Sequence, residues 1–80
     1  MRLPRDLSGD DLIKALGRLG YTVTRQRGSQ VRLTTQQNGT HEVTVPRNDP
    51  LRVGTLAAIL REVAAHFGIT RDELLKRLFD

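Results

Sequence analysis

Between residues 9 and 19, apolar side chains recur every three or four positions, which is the spacing of one face of an α-helix. They are Leu12, Ile13, Leu16 and Leu19. Ser8 stands just before this segment, where its hydroxyl can cap the helix, and two aspartates follow in the first turn. Gly20 suits the left-handed conformation that ends a helix. The pattern predicts a first helix over residues 9–19.

Three short segments then alternate polar and apolar residues, as strands with one buried face do. They are Tyr21–Arg25, Gln30–Thr35 and His41–Pro46. Gly28 interrupts the chain between the first two segments, and residues 37–39 supply turn residues between the second and the third. The sequence therefore predicts a three-stranded antiparallel sheet.

The apolar positions also predict how the second and third strands pair. A shift by one residue would turn the apolar set of one strand outward. Pairing Leu33 with Val43 and Val31 with Val45 buries all four side chains and leaves a loop over residues 37–39, with Gly39 where a positive φ is needed. The outer face of the sheet is then expected to carry Gln30, Arg32, Thr34, Glu42 and Thr44.

Two further helices are predicted after the sheet. The second begins near residues 53–55, carries an apolar stripe and ends at Gly68. The stripe consists of Leu56, Ile59, Leu60, Val63 and Phe67. Thr70 and Glu73 match a capping box that opens a third helix. Its apolar residues are Leu74, Leu75, Leu78 and Phe79. The order α-β-β-β-α-α predicts one α+β domain over residues 1–80, with helices on one face of the sheet and the other face left to solvent or a partner.

Composition excludes several classes of protein. The 80 residues include no cysteine, which excludes disulfides, thiol redox chemistry and thiolate zinc sites. The two histidines, His41 and His66, are too far apart in sequence for a local metal motif, and no metal or other cofactor is expected. The longest apolar run, residues 56–60, is far shorter than the ~18 residues that a membrane span needs. Because the N-terminus also lacks the apolar segment of a secretory signal, a cytoplasmic protein without membrane association is expected.

The net charge of +4 is concentrated in the middle of the chain. Residues 21–52 carry five arginines against two acidic residues, whereas residues 53–80 carry as many acidic as basic residues. Guanidinium groups suit phosphate because they can donate two parallel hydrogen bonds to it. Two interpretations stay open: a phosphate-binding surface, or a solvated sheet face whose arginines serve solubility.

Four short motifs, in this order along the chain, resemble the HicA family of toxins over residues 8–78. They are Leu19-Gly20-Tyr21, Arg27-Gly28-Ser29, Val43-Thr44-Val45-Pro46, and Gly54-Thr55-Leu56 with Ile59-Leu60-Arg61. The resemblance implies a fold like that of a double-stranded-RNA-binding domain. It further implies cleavage or blocking of mRNA by a metal-independent endoribonuclease, an mRNA interferase. The implied protein partner is a HicB-like antitoxin of a type II toxin–antitoxin system.

One position departs from the family's pattern. The family carries its catalytic histidine directly after the Gly-Ser pair of the second strand, and this chain has Gln30 there. Metal-free cleavage of RNA needs groups that take a proton from the 2′-hydroxyl and give one to the leaving oxygen. The amide of Gln30 does neither near pH 7, although it can hydrogen-bond a phosphate, a 2′-hydroxyl or a base edge. The chain is therefore either a ribonuclease with an altered site or a catalytically silent relative.

The candidate RNA-binding residues lie mostly on the first two strands and their flanks. They are Lys14, Arg25, Arg27, Ser29, Gln30, Arg32 and Arg47. In the predicted register Gln30 lies opposite Pro46, so Arg47 is expected near Ser29 and Gln30. Lys14 lies on the polar side of the first helix, where an ordinary solvated face is the alternative interpretation.

Neither histidine is expected to replace the missing one. His41 falls opposite Thr35, roughly 16 Å along the second strand from Gln30 at about 3.3 Å per residue, and should point toward the helices or fray out beside the hairpin loop. His66 lies near the end of the second helix, where the helix dipole favours a cation without any further function. From the residues alone, two other functions remain open: a module that binds an acidic antitoxin, and DNA binding, for which no helix rich in base-reading side chains is present.

Overall fold

A computed structural model describes residues 6–80 of the chain. Its helices are α1 (Gly9–Leu16), α2 (Val53–Phe67) and α3 (Arg71–Phe79), and its strands are β1 (Thr22–Arg27), β2 (Gln30–Thr35) and β3 (His41–Pro46). This order confirms the predicted α-β-β-β-α-α arrangement and the α+β class. The first five residues of the predicted domain, which begin the N-terminal segment considered for a secretory signal, lie outside the described residues.

The first helix begins where its sequence predicts, but its α-helical part ends at Leu16, before the predicted end at residue 19. The hydroxyl of Ser8 accepts a hydrogen bond from the amide of Asp11 (3.0 Å), and the Asp11 carboxylate accepts one from the amide of Ser8 (3.2 Å). These two bonds satisfy amides that a helix N-terminus otherwise leaves free. The α-helix gives way to a 3₁₀ turn over Gly17–Leu19, and Gly20 then turns the chain with a φ of 82°.

Strand β1 is longer than predicted and shifted along the chain. It starts at Thr22 and runs to Arg27, whereas Tyr21 precedes it and is buried. The cause is the tight Gly28-Ser29 turn, in which Gly28 has a φ of 58° and which brings Arg27 opposite Gln30. Gln26 and Arg27 thereby become part of the sheet.

The predicted register of β2 and β3 is confirmed. Leu33 lies opposite Val43 and Val31 opposite Val45, and Gly39 has a φ of 94° in the connecting loop. The four paired side chains are buried, whereas Gln30, Arg32, Glu42 and Thr44 on the other face are exposed and Thr34 is half-buried. The sheet order is β1-β2-β3, so β1 is an edge strand, and all six of its residues are exposed.

The core lies between one face of the sheet and the helices. Leucines of α1, α2 and α3 are almost fully buried there, together with the inner side chains of β2 and β3. The amide of Gly9 donates to the carbonyl of Asn48 (2.8 Å), so the start of α1 is held against the segment after β3. Within residues 6–80 no single helix is long and apolar enough to cross a membrane, and α2 and α3 pass that test only as a pair bent by 99°.

Candidate nucleic-acid interface

The outer face of the sheet carries a shallow cleft at the end near the β1–β2 turn. Arg25 lies opposite Arg32, which lies opposite Thr44, and Arg27 lies opposite Gln30. The cleft between these side chains has a volume of about 150 Å³. It is lined by Arg25, Arg27, Gln30, Arg32 and Thr44. Three of the four arginines predicted to bind RNA are therefore brought together with Gln30.

A β-bulge places two of these arginines on the outer face. Val23 lies opposite Leu33, but Arg25 rather than Thr24 lies opposite Arg32, so Thr24 is the extra residue of β1. Without it, strict alternation would put Arg25 opposite Val31, on the inner face. The bulge thus turns Arg25, and with it Arg27, toward Arg32 and Gln30, as bulges near functional sites do.

The guanidinium groups of this cleft are largely free to bind a ligand. Neither Arg25 nor Arg27 has a hydrogen-bond or ion-pair partner among the described residues. Nη1 of Arg32 lies 3.6 Å from Oε2 of Glu42, and the two side chains are 47% and 52% exposed. An ion pair this exposed stabilises the fold little, so Arg32 remains available to an anion.

Ser29 and Gln30 lie where the sequence predicts them. The carbonyl of Ser29 accepts a hydrogen bond from the amide of Arg47 (2.7 Å), and Gln30 lies opposite Pro46. The Gln30 side chain is exposed and lines the cleft. The predicted proximity of Arg47 to Ser29 and Gln30 is therefore confirmed for the main chain.

The Arg47 side chain, in contrast, pairs with the first helix rather than lining the cleft. Its Nε donates to Oδ1 of Asp10 (2.8 Å) and its Nη2 to Oδ2 (3.3 Å). These hydrogen bonds and the charge of Asp10 raise the pKa of Arg47 above its ordinary value. Arg47 thus links the end of β3 to α1. Lys14 is also apart from the cleft, in a depression between α1 and α3 beside Arg18 and Phe79.

The two histidines form a pair at the opposite end of the sheet, which their separation in sequence did not predict. The rings of His41 and His66 stack with centroids 4.5 Å apart and an interplanar angle of 12°. Nδ1 of His41 lies 2.7 Å from the hydroxyl of Tyr21, and Nε2 of His66 donates to the carbonyl of Gln37 (2.9 Å). His41 points toward the helices, as predicted.

Burial and neighbouring charges shift the pKa values of two members of this cluster, His41 and Tyr21. Burial, followed by the charge of His66, lowers the pKa of His41, while the charge of Glu62 opposes that shift. Burial is also the main cause that raises the pKa of Tyr21 to about 12. The cluster joins the β2–β3 loop to the end of α2, where the side chain of Asn38 donates to the carbonyl of His66 (2.8 Å). Within residues 6–80 no group of three or more histidine or acidic side chains is arranged to hold a metal ion.

The fold and this cleft define a small α+β domain with a cationic sheet face that is not covered by any helix of the described part of the chain. A comparison with protein-family models matches residues 9–64 to the HicA toxin of bacterial toxin–antitoxin systems. The match covers more than half of the chain, so the chain belongs to the HicA toxin family, as the sequence motifs predicted. Helix α3 lies outside the matched residues. Comparisons with curated proteins and with solved structures found no match.

Proposed function

We propose that this member of the HicA toxin family binds RNA, as mRNA in the cytoplasm, across the outer face of its sheet. Arg25, Arg27 and Arg32 would hold phosphates, and the amide of Gln30 would add a neutral hydrogen-bonding group beside them. The observation that carries the proposal is the cleft in which these four side chains converge, on a face that none of the helices in residues 6–80 covers. Free guanidinium groups in a cleft suit the RNA backbone because they can donate paired hydrogen bonds to phosphate oxygens.

The aromatic residues support recognition through the backbone rather than through stacked bases. Single-strand binding proteins usually stack bases on exposed aromatic side chains. Tyr21 is buried here, and Phe67 and Phe79 pack against the core. The outer face therefore offers charge and hydrogen bonds, which bind RNA with little dependence on base sequence.

The proposal assigns Gln30 to binding and not to proton transfer. Position 30 is where the resemblance puts the family's histidine, and an amide neither gains nor loses a proton near pH 7. His41 and His66 are occupied with Tyr21 and Gln37 at the far end of the sheet. Endonucleolytic cleavage by this chain would need another group at the cleft.

Binding of a short RNA by fluorescence anisotropy, at about 50 and 200 mM salt, tests the proposal. We expect affinity to fall steeply with salt, because each phosphate contact releases counterions. The double variant Arg25→Ala/Arg27→Ala should bind at least about tenfold more weakly and with a shallower salt dependence. The matched control, Arg61→Ala/Arg71→Ala, removes two exposed arginines from the helical side and should bind as the parent does. An unaltered affinity in the Arg25→Ala/Arg27→Ala protein would overturn the proposal.

The same face is proposed to receive the partner protein. Membership of a toxin–antitoxin family implies a neutralising partner, and we infer a HicB-like antitoxin with an acidic surface that covers Arg25, Arg27 and Arg32. Without that antitoxin, RNA binding by this face would be unopposed. The chain expressed alone should therefore slow growth by sequestering RNA, and transcripts should keep their full length. Growth and transcript length, measured with and without the product of the adjacent gene, check this. Unchanged growth when the chain is expressed alone would count against toxicity, and shortened transcripts would count against a purely binding role.

A further inference from the structure

A second row of polar side chains crosses the outer face beside the arginines. Thr34 lies opposite Glu42 on β3, and Oγ1 of Thr24 on β1 lies 2.9 Å from Oγ1 of Thr34. Thr24 takes this position because it is the extra residue of the bulge. We call Thr24, Thr34 and Glu42 the acceptor row. Thr24 and Glu42 are exposed and Thr34 is half-buried, so all three can be reached from solvent.

The side chains of the acceptor row can mainly accept further hydrogen bonds rather than donate them. An ionised carboxylate only accepts hydrogen bonds, and a hydroxyl has one proton but two lone pairs. The Thr24 hydroxyl can donate to the carbonyl of Arg32 at 3.5 Å, and the Thr34 hydroxyl can then donate to Thr24. Oγ1 of Thr34 and the Glu42 carboxylate keep free lone pairs in this arrangement. The arginines of the neighbouring cleft, in contrast, only donate.

This division of the face matches the chemistry of the RNA backbone. Phosphate oxygens accept hydrogen bonds, whereas the 2′-hydroxyl of ribose can also donate one. Successive rows on one face of a strand lie two residues apart, about 7 Å, which the backbone of one nucleotide can bridge. A phosphate held by Arg32 therefore brings a ribose close to Thr34 and Glu42. DNA has no hydroxyl to offer there, and its phosphates meet the negative charge of Glu42 without a compensating hydrogen bond.

We propose that the acceptor row binds the ribose 2′-hydroxyl as a hydrogen-bond donor and thereby makes the outer face select RNA over DNA. The proposal rests on the proposed RNA binding by the arginine cleft. It adds a class of contact that phosphate binding does not supply, because phosphates are common to both nucleic acids. The 2′-hydroxyl is the group by which a protein can distinguish RNA from DNA at one site.

Three single strands of about twelve nucleotides and the same base sequence test this directly. They are an oligouridine, the corresponding oligodeoxyuridine and the 2′-O-methyl oligouridine, and their affinities are compared by anisotropy. We expect the RNA to bind about tenfold more tightly than the DNA, since a few hydrogen bonds at the row distinguish them. The 2′-O-methyl strand keeps the oxygen but loses the proton, so it should bind like DNA.

Two variants separate the contributions of the row. Thr24→Val/Thr34→Val keeps the branched shape that suits a strand but removes both hydroxyls, and should lower RNA affinity about fivefold with DNA affinity unchanged. Glu42→Gln removes the charge and should raise DNA affinity more than RNA affinity. Thr40→Val is the matched control, because the Thr40 hydroxyl bonds to Gln36 in the β2–β3 loop and not to this row. Thermal unfolding verifies that each variant is folded.

The outcomes of these experiments distinguish ribose recognition by the acceptor row from phosphate binding by the arginine cleft. Equal affinity of the parent protein for RNA and DNA, or tight binding of the 2′-O-methyl strand, overturns ribose recognition and leaves phosphate binding standing. Unchanged discrimination in the Thr24→Val/Thr34→Val and Glu42→Gln proteins also overturns it. Absence of binding to all three strands removes the proposed RNA binding and ribose recognition together.

Discussion

Gln30 is the residue on which the chemistry of the cleft depends. It lies between Arg27 and Pro46 across the sheet and lines the cleft together with three arginines. An imidazole at this position would have the proton-transfer capacity that the amide lacks, and the surrounding cations would favour its neutral, basic form.

We therefore expect Gln30→His to cleave RNA, detectable as shorter fragments of a labelled strand without added metal. A gain of at least about a hundredfold over the parent protein is the size of effect typical of one acid–base group. Gln26→His is the matched control, because Gln26 lies on the neighbouring strand β1, opposite Val31 and therefore on the inner face of the sheet. A Gln30→His protein that binds RNA but leaves it intact would contradict the expectation and indicate that a second catalytic group is also missing.

Gly9 is a position where one added carbon atom should destabilise the fold. A Cβ there would collide with the carbonyl oxygen of Pro46 and with Cα of Arg47, both of them backbone atoms. Gly9→Ala should lower the free energy of unfolding by about 2 kcal/mol, as overpacking commonly does. The control is Gly54→Ala in α2, where no atom lies within 4 Å of the added methyl group. Gly54→Ala should leave stability equal or slightly higher. Urea unfolding compares the two, and equal midpoints for Gly9→Ala and the parent would contradict the close approach.

At the scale of residues, the sequence predicted the positions of most candidate residues in the sheet but not all of their contacts. The alternation of β2 placed Gln30 and Arg32 on the outer face, and the register placed Arg47 beside Ser29. It did not indicate that the Arg47 side chain turns to Asp10. That contact depends on the approach of α1 to the end of β3, which local periodicity does not encode.

At the scale of elements, β1 is the part that the sequence described least well. Its bulge changes which residues share a face, and a bulge has no reliable signature in a short polar segment. Uninterrupted alternation over residues 21–25 would put Val23 and Arg25 on one face, but they lie opposite Leu33 and Arg32 on different faces. The helices and the β2–β3 pairing were predictable because long apolar stripes and buried alternation specify them strongly.

The contact between the β2–β3 loop and α2 should depend on pH. Because the pKa of His41 is lowered in the folded protein, the unfolded chain binds more protons below about pH 6.5. The stabilising contribution is therefore present above that pH and declines as the pH falls. Melting temperatures between about pH 7.5 and 5.5 should drop for the parent protein, and the drop should be smaller for His41→Gln, whose amide can still accept a hydrogen bond from Tyr21. An identical drop in both proteins would show that His41 does not contribute.

At the scale of the whole molecule, the two faces of the sheet differ: one is buried in the core, and the other is exposed and rich in arginine. The inner face and all three helices form the core, and residues 53–80, which contain α2 and α3, carry as many acidic as basic side chains. The outer face is exposed, and it holds Arg25 and Arg27, which have no hydrogen-bond or ion-pair partner among residues 6–80. The sequence predicted this division through the local excess of arginine, whereas the cleft emerged only from the paired strands.

If one face serves both RNA and antitoxin, the two ligands should exclude each other. We expect the purified product of the adjacent gene to displace labelled RNA from the protein. At concentrations well above the Kd of the antitoxin complex, displacement should be complete near one antitoxin molecule per molecule of the protein. Arg25→Glu/Arg27→Glu should weaken both complexes, because reversed charges repel phosphate and acidic side chains alike. Arg61→Glu/Arg71→Glu, on the helical side, should weaken neither. Anisotropy follows the RNA and size-exclusion chromatography follows the protein complex. A ternary complex that retains RNA at parental affinity would mean that the antitoxin binds elsewhere on the domain.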